Sequence, residues 1–368
     1  MSLPAFVPAP NLRDQQRRVA YIDYYDVNWS RPDLTLLACA QQGFNVIVLG
    51  FWLSGTSAAT DMAVTWQNWG DATSKATVMS GLHAGVNPYT QATFAPTIVL
   101  LSVGGASEYP LRDYGAKPFQ PSPLPPYVTP IVVPEKSAFY LGALAGEWVN
   151  DNLLDGVDFD LEHFTPYLAF PGYTSQDVID WCAAANVGAN WAMSRGSNLK
   201  SGYITAAPQA PYLGPVGAST TWAGPLGGYV GVYKASVLPG GGAAIDWMCV
   251  QFYNQDNANY GSYETMFVQA APAFPLSSVQ EVTQPLTGVP LSALIVGALL
   301  TPRFGDSGYV PPESLRVFFA RAKASLLYDG SAMVWAFADG TTDPSIDSGA
   351  WERALYGAKV QPLLLNLA

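Results

Sequence analysis

The sequence predicts an α/β fold, a (β/α)8 TIM barrel with extended loops at the C-terminal face of its strands, and three observations carry that expectation. Eight short runs rich in β-branched and aromatic residues recur along the 368 residues, separated by helical or long irregular segments. Alternating β and α at this length implies a parallel sheet, and eight units are the number that closes into a barrel. Polar residues and glycines gather at the C-terminal ends of the runs, among them Gly104, Gly105, Asp160, Glu162, Gln209, Gln251, Tyr253 and Trp335. That is the face on which such barrels build their sites. The chain shows no internal repeat of the solenoid kind. Residues 1–368 are expected to form one barrel domain, with 1–17 an N-terminal extension and 106–135 a proline-rich loop.

The elements follow in order. Val19 to Tyr25 and Asn45 to Trp52 are strand-like, with an amphipathic helical segment from Leu34 to Gln42 between them. The polar excursion from Ser54 to Tyr89 is longer than a connection needs, so a loop containing a helix is expected there, with His83 on the loop. Thr97 to Val103 is a buried strand running into Gly104-Gly105, where the backbone can turn sharply or approach a ligand. The proline-dense stretch from Glu108 to Pro134 contains PxxP spacings, but it suits a rigid surface loop better than a polyproline ligand. Ser137 to Leu154 has helical spacing at Leu141, Leu144, Trp148 and Leu153. Ser175 to Arg195 is a helix with Ser175 as its expected N-cap. Tyr203 to Ala207, Asp246 to Asn254, Leu294 to Leu300 and Ala332 to Phe337 complete the strands. Helices are expected over Pro312 to Leu327, with proline in the first turn, and over Gly349 to Tyr356.

Within this frame one stretch stands out: Asp155-Gly156-Val157-Asp158-Phe159-Asp160-Leu161-Glu162 carries four carboxylates in a chain only 12% charged. On a strand, successive side chains alternate faces, so Asp158, Asp160 and Glu162 share one side and Val157, Phe159 and Leu161 the other. Carboxylates this crowded cannot all ionise at their usual pH, so one of them becomes a usable proton donor near neutrality. Asp155 has the other parity and is expected to cap the turn before the strand. His163 also has the opposite parity and is expected to be structural.

Bulk composition narrows the partners. A formal net charge of −11 and an isoelectric point near 4.5 argue against nucleic acid or an acidic lipid surface. Cys39, Cys182 and Cys249 are too few and too widely spaced for a disulfide framework. With two histidines and no Cys or His cluster, no metal site is expected, and no phosphate-cradling motif or Ser-His-Asp arrangement is present, so no cofactor is implied. Met1 to Pro10 lacks the pattern of a signal peptide, which leaves an intracellular protein or one whose signal has been removed. No apolar run reaches the roughly 18 to 20 residues of a membrane span. A monomer is expected.

The acidic strand has the D-x-x-D-x-D-x-E pattern of glycoside hydrolase family 18, the chitinase family, and the chain resembles that family from about Val19 to Tyr356. Leu101-Ser102-Val103-Gly104-Gly105 is similar to its S-x-G-G strand, and Trp335 falls where the family places an aromatic floor. Thr205-Ala206-Ala207-Pro208-Gln209, Gln251-Phe252-Tyr253-Asn254, Ser307-Gly308-Tyr309-Val310-Pro311-Pro312 and Asp160-Leu161-Glu162-His163 resemble the plant class III, hevamine-like chitinases. Departures are the missing cysteines of the plant enzymes' three disulfides, Phe164 in place of glycine, and longer loops at 54–89 and 106–135.

The resemblance implies retaining hydrolysis through substrate assistance, an exception to schemes with two catalytic carboxylates. It assigns Glu162 as general acid and then base, Asp160 as the partner of the substrate's amide N–H, and Asp158 as the group sharing a proton with Asp160. Tyr253 would hold the acetamide carbonyl and Trp335 would stack under the sugar. Gln251, Gln209, Tyr21 and Asn254 are further candidates for binding, and Gly104 and Gly105 are expected to make space. The implied partner is an N-acetylglucosamine-containing oligosaccharide or glycan. Three activities stay open: an endo-acting chitinase, an endo-β-N-acetylglucosaminidase cutting the chitobiose core of N-glycans, and a non-catalytic chitinase-like lectin; the long loops with Trp52, Trp66 and Trp69 are expected either to close one end of a chitin groove or to grip a branched glycan.

Overall fold

The computed structural model describes residues 7–23, 30–52, 61–105, 120–126, 128, 130–132, 136–162, 174–195, 202–214, 228–338 and 346–357. Eight strands close a barrel in sequence order, each pairing in parallel with the next and the last returning to the first. They are β1 (Arg18–Ile22), β2 (Val46–Trp52), β3 (Ile98–Gly104), β4 (Gly156–Asp160), β5 (Tyr203–Ala206), β6 (Trp247–Gln251), β7 (Leu294–Leu299) and β8 (Ala332–Trp335). These are the eight runs expected, trimmed at their ends. The trimming matters most at β4, whose ladder stops at Asp160 and leaves Glu162 beyond it.

The longer helices are α1 (Pro32–Gln41), α2 (Met62–Asn68), α3 (Ala72–Ala84), α4 (Ala138–Asp151), α5 (Ser175–Met193), α6 (Gly228–Ala235), α7 (Pro312–Leu326) and α8 (Ser348–Tyr356). The excursion between β2 and β3 holds two helices, not one, and His83 is in the last turn of α3, not on a loop. The N-cap of α5 is Thr174, not Ser175. Thr174 Oγ1 accepts from the Asp177 N–H at 3.2 Å while Asp177 Oδ2 accepts from the Thr174 N–H at 2.7 Å, a reciprocal pair that Ser175, one residue later, cannot form.

Strand alternation divides the core in two. Val19, Tyr21, Val46, Val48, Ile98, Leu100, Tyr203, Trp247, Cys249, Ile295 and Met333 fill the barrel, whereas Val157, Phe159, Leu161 and their counterparts face the helices. Helices α4 and α5 touch backbone to backbone. A Cβ on Gly142 would lie 1.9 Å from the Ala185 carbonyl oxygen and one on Gly188 2.0 Å from that of Phe139, so only glycine allows this approach.

The segment before β1 runs under the floor of the barrel. Leu12 joins the interior cluster, its N–H donates to the Tyr203 hydroxyl at 2.9 Å, and that hydroxyl donates to the Pro10 carbonyl at 2.7 Å. His83 fixes the same segment, with Nδ1 at 2.7 Å from the Val7 carbonyl oxygen and Nε2 at 2.9 Å from Asp155 Oδ1. Burial disfavours charge on this imidazole, but the Asp155 carboxylate and the Val7 carbonyl together raise its pKa. Asp155 therefore does not cap its turn. Its Oδ2 accepts the Val99 N–H at 2.8 Å and so ties β4 to β3 as well as to α3.

Trp66 and Trp69 do not reach toward a ligand. Trp66 is fully buried, stacks on Trp69 at 5.3 Å between ring centroids, and donates to the Asn152 carbonyl at 3.0 Å, at the end of α4 opposite the barrel mouth. Trp52 packs against the same outer core at the end of β2. Trp66 shares the buried side of α2 with Met62 and Ala63. His163 and Phe164 lie outside the described residues, as does most of the proline-rich loop. Among the described residues no helix is long and apolar enough to cross a membrane.

Candidate active site

Register builds the base of the site. Ser102 of β3, Asp158 of β4 and Thr205 of β5 are consecutive ladder partners, so all three side chains enter the barrel at one level. Asp158 is completely buried and accepts three hydroxyl hydrogen bonds: Thr205 to Oδ1 at 2.6 Å, and Ser102 and Tyr21 to Oδ2 at 2.9 Å each. Tyr21 reaches Asp158 from β1. The three O–H donors favour the carboxylate and oppose the burial that raises the pKa of Asp158.

Asp160, also buried, has one donor, the Gln251 amide to Oδ1 at 2.9 Å. Burial raises both aspartates, yet Asp158 is restrained by its donors, whereas Asp160 is driven well above the usual carboxyl range by burial and by the charges of Glu162 and Asp158. Of the two, Asp160 is the one whose surroundings favour the protonated form more strongly. Above the unfolded value near 4, an unfolded chain ionises this carboxyl and the folded chain does not. Stability is therefore lost as pH rises from about 4 toward the raised folded value. Asp160→Asn retains the acceptor for Gln251 and has no proton to lose. Its melting temperature is expected to fall less than that of wild type between about pH 4 and pH 7, each unit of upward shift being worth about 1.4 kcal/mol. Parallel curves would show that Asp160 is not the protonated group.

Glu162 is half-buried at the mouth. Gln209 Nε2 donates to its Oε2 at 3.0 Å, Gln251 Nε2 lies 3.5 Å from Oε1, and the Tyr212 hydroxyl donates to its main-chain carbonyl at 2.7 Å. The Gln251 amide also donates to the Ala207 carbonyl at 2.9 Å, which locks it between β5 and Asp160. Tyr253 is buried beside the carboxylates. Burial, then Asp160 and Glu162, raise its pKa, so it is present as a phenol able to donate.

The rim is aromatic. Trp335 is half-buried at the end of β8, 6.0 Å from the Tyr21 ring and 5.9 Å from the Phe51 ring between centroids. Gly104 and Gly105 let β3 approach β4: the Gly105 N–H donates to the Asp160 carbonyl at 2.7 Å, and Phe51 covers Gly105 where a side chain would stand. Asn254 sits at the edge with its Oδ1 accepting from the Asp306 N–H at 2.9 Å and its own N–H donating to Ser307 at 2.9 Å, so its side-chain oxygen is engaged by the loop after β7. Cys249 is buried in the interior cluster, its thiol pushed up by burial and by Asp158.

The structure thus brings Asp158, Asp160, Glu162, Gln209, Gln251, Tyr253, Tyr21 and Trp335 to one end of the barrel. Four contributors were missed in the sequence. Ser102 and Thr205 share inward parity with Asp158 on neighbouring strands, a signal readable once the register is known. Tyr212 and Phe51 gave no local signal, since any aromatic at a strand or turn end is first a packing residue. Among the described residues no group of three His, Cys, Asp or Glu is arranged to hold a metal ion.

No family model matches the sequence, and no curated protein matches it. Among solved structures, the chain is similar to a GH18 chitinase from Pseudoalteromonas aurantia, with 20% identity, 92% of this chain and 98% of that chain covered, and a TM-score of 0.60. It is also similar to a putative chitinase A from Streptomyces coelicolor, with 15% identity, 94% and 100% covered, and a TM-score of 0.51. A xylanase and alpha-amylase inhibitor protein from Scadoxus multiflorus aligns at 18% identity over 94% and 100%, with a TM-score of 0.47. At these identities the likeness is one of fold, and fold does not settle activity. At these identities neither match supports the plant class III subtype expected from the short motifs.

Proposed function

We propose that the protein is a glycoside hydrolase of the family 18 kind, cleaving β-1,4-linked N-acetylglucosamine within chitin or chitooligosaccharides, with retention and with help from the substrate's own 2-acetamido group. One observation carries this reading: Asp160 is buried beside Glu162 with a single donor, Gln251, so that burial and the neighbouring carboxylates favour its protonated form. A protonated carboxyl is a poor nucleophile toward an anomeric carbon, so the attacking oxygen must come from elsewhere, and an acetamide on the sugar supplies it.

The residues then have consistent tasks. Glu162 gives a proton to the glycosidic oxygen while the acetamide carbonyl oxygen attacks the anomeric carbon, forming an oxazolinium. Asp160 accepts the acetamide N–H. As positive charge develops, its proton passes toward Asp158, and the new carboxylate stabilises the ring. Tyr253 donates to the acetamide oxygen and holds it in line. Glu162, now a carboxylate, takes a proton from the incoming water. Trp335 offers its face to the sugar.

The test compares an aryl triacetylchitotrioside with an aryl cellotrioside, which has hydroxyl groups in place of the acetamides. Fluorophore release is expected from the first and to be slower from the second by about 10³-fold or more, since an intramolecular nucleophile is worth at least that much. No release from the chitotrioside across about pH 4 to 8 would end the hydrolase reading, and equal release from both would end the acetamide role.

A further inference from the structure

Glu162 lies past the end of the β4 ladder, so the sheet does not fix it. Among the described residues its hydrogen-bond partners are Gln209, Tyr212 and, at a long 3.5 Å, Gln251. Two of these three belong to the single turn that follows β5. We infer that this turn, Gln209 to Leu213, is the device that positions the acid, and that Gln209 acts through Glu162 and does not contact substrate as a binding residue. The inference rests on the hydrolase reading for its functional consequence.

The turn is itself well anchored. The Gln251 N–H donates to the Pro208 carbonyl at 2.8 Å, and Gln209 and Gln251 form a parallel bridge that extends the β5–β6 pairing past both strands. Pro211 stands near the start of the 3₁₀ turn Ala210–Leu213, whose Tyr212 N–H donates to the Gln209 carbonyl at 2.9 Å. Tyr212 is buried, so its hydroxyl meets the Glu162 carbonyl from a fixed ring. The turn therefore grips Glu162 at both ends, by the main-chain oxygen and by Oε2.

This grip selects an oxygen. Gln209 turns its Nε2 donor to Oε2, and an oxygen that accepts this N–H is not the one that carries the transferable proton. Oε1, with only the long contact to Gln251, is left to face the glycosidic oxygen. A general acid displaced by about 1 Å loses on the order of 100-fold in rate, so the grip acts on kcat.

The experiment uses Gln209→Met, which keeps length and removes the donor, and Tyr212→Phe, which keeps the ring and removes the hydroxyl. Each is assayed on the aryl chitotrioside beside wild type, with thermal melts to confirm folding. The expected result is a fall in kcat of about 10- to 100-fold with KM within about two-fold. A raised KM with unchanged kcat would overturn the inference by making Gln209 a substrate contact, and unchanged kinetics in both variants would overturn it outright. If wild type itself releases no fluorophore, the hydrolase reading fails while the positioning inference is still decided by crystal structures of wild type and Gln209→Met without ligand. A changed Glu162 rotamer in the variant supports it, and an unchanged one overturns it.

Discussion

Glu162→Gln is expected to reduce hydrolysis of chitohexaose by about 10³-fold, in the range associated with loss of a general acid, with KM little changed. The variant keeps the side-chain length and the amide can still sit between Gln209 and Gln251, so folding should be preserved. A sharper expectation comes from the leaving group. A sugar hydroxylate needs the proton that Glu162 supplies, whereas an aryl oxide leaves more readily without one. The loss on an aryl chitotrioside should therefore be smaller than the loss on chitohexaose. Steady-state rates on the two substrates check this directly. Equal losses on both would place Glu162 in orientation or water activation and not in proton donation.

Gly104→Ala is expected to destabilise the protein by about 3 kcal/mol or more. A Cβ at this position would lie 2.1 Å from the Asp160 carbonyl oxygen, and the backbone has φ of +119°, where an L side chain is strained. Overpacking costs about 1–3 kcal/mol and a strained backbone about as much again. Relief requires β3 and β4 to separate at the point where Asp160 enters the site, so the surviving folded protein should also lose about 100-fold in kcat. Urea unfolding measures the first effect, with Gly240→Ala as the comparison because a Cβ at Gly240 meets nothing within 4 Å. A Gly104→Ala curve overlying that of Gly240→Ala would show that β3 tolerates the displacement.

Much of the site was legible because strands obey a period of two. Asp158 and Asp160 could be placed on one face from their spacing alone, and the eight runs of alternating type pointed to the barrel they form. The helical excursion after β2 was misjudged for a different reason. Trp66 and Trp69 stand in a polar segment, and only the packing of α2 shows that these rings stack together with Trp66 donating to Asn152. Asp155 was assigned to its nearest turn, but its partners are Val99 and His83, both more than fifty residues away in sequence.

The amino-acid sequence by itself determined the local terms: which residues form strands, which face each side chain takes, and that carboxylates would be crowded at one strand end. These depend on backbone geometry and on neighbours within a few positions. Only the tertiary structure decided the division of labour among the carboxylates. Asp158 and Asp160 are chemically identical side chains on the same strand, and what separates them is three hydroxyl donors from β1, β3 and β5 around one and a single amide beside the other. Likewise Glu162 could be recognised from its spacing, but its orientation depends on Gln209 and Tyr212, which closure of the barrel alone brings to it. Proton affinity and orientation are set by what lies within a few ångströms in space, and that proximity arises from parallel register between distant segments.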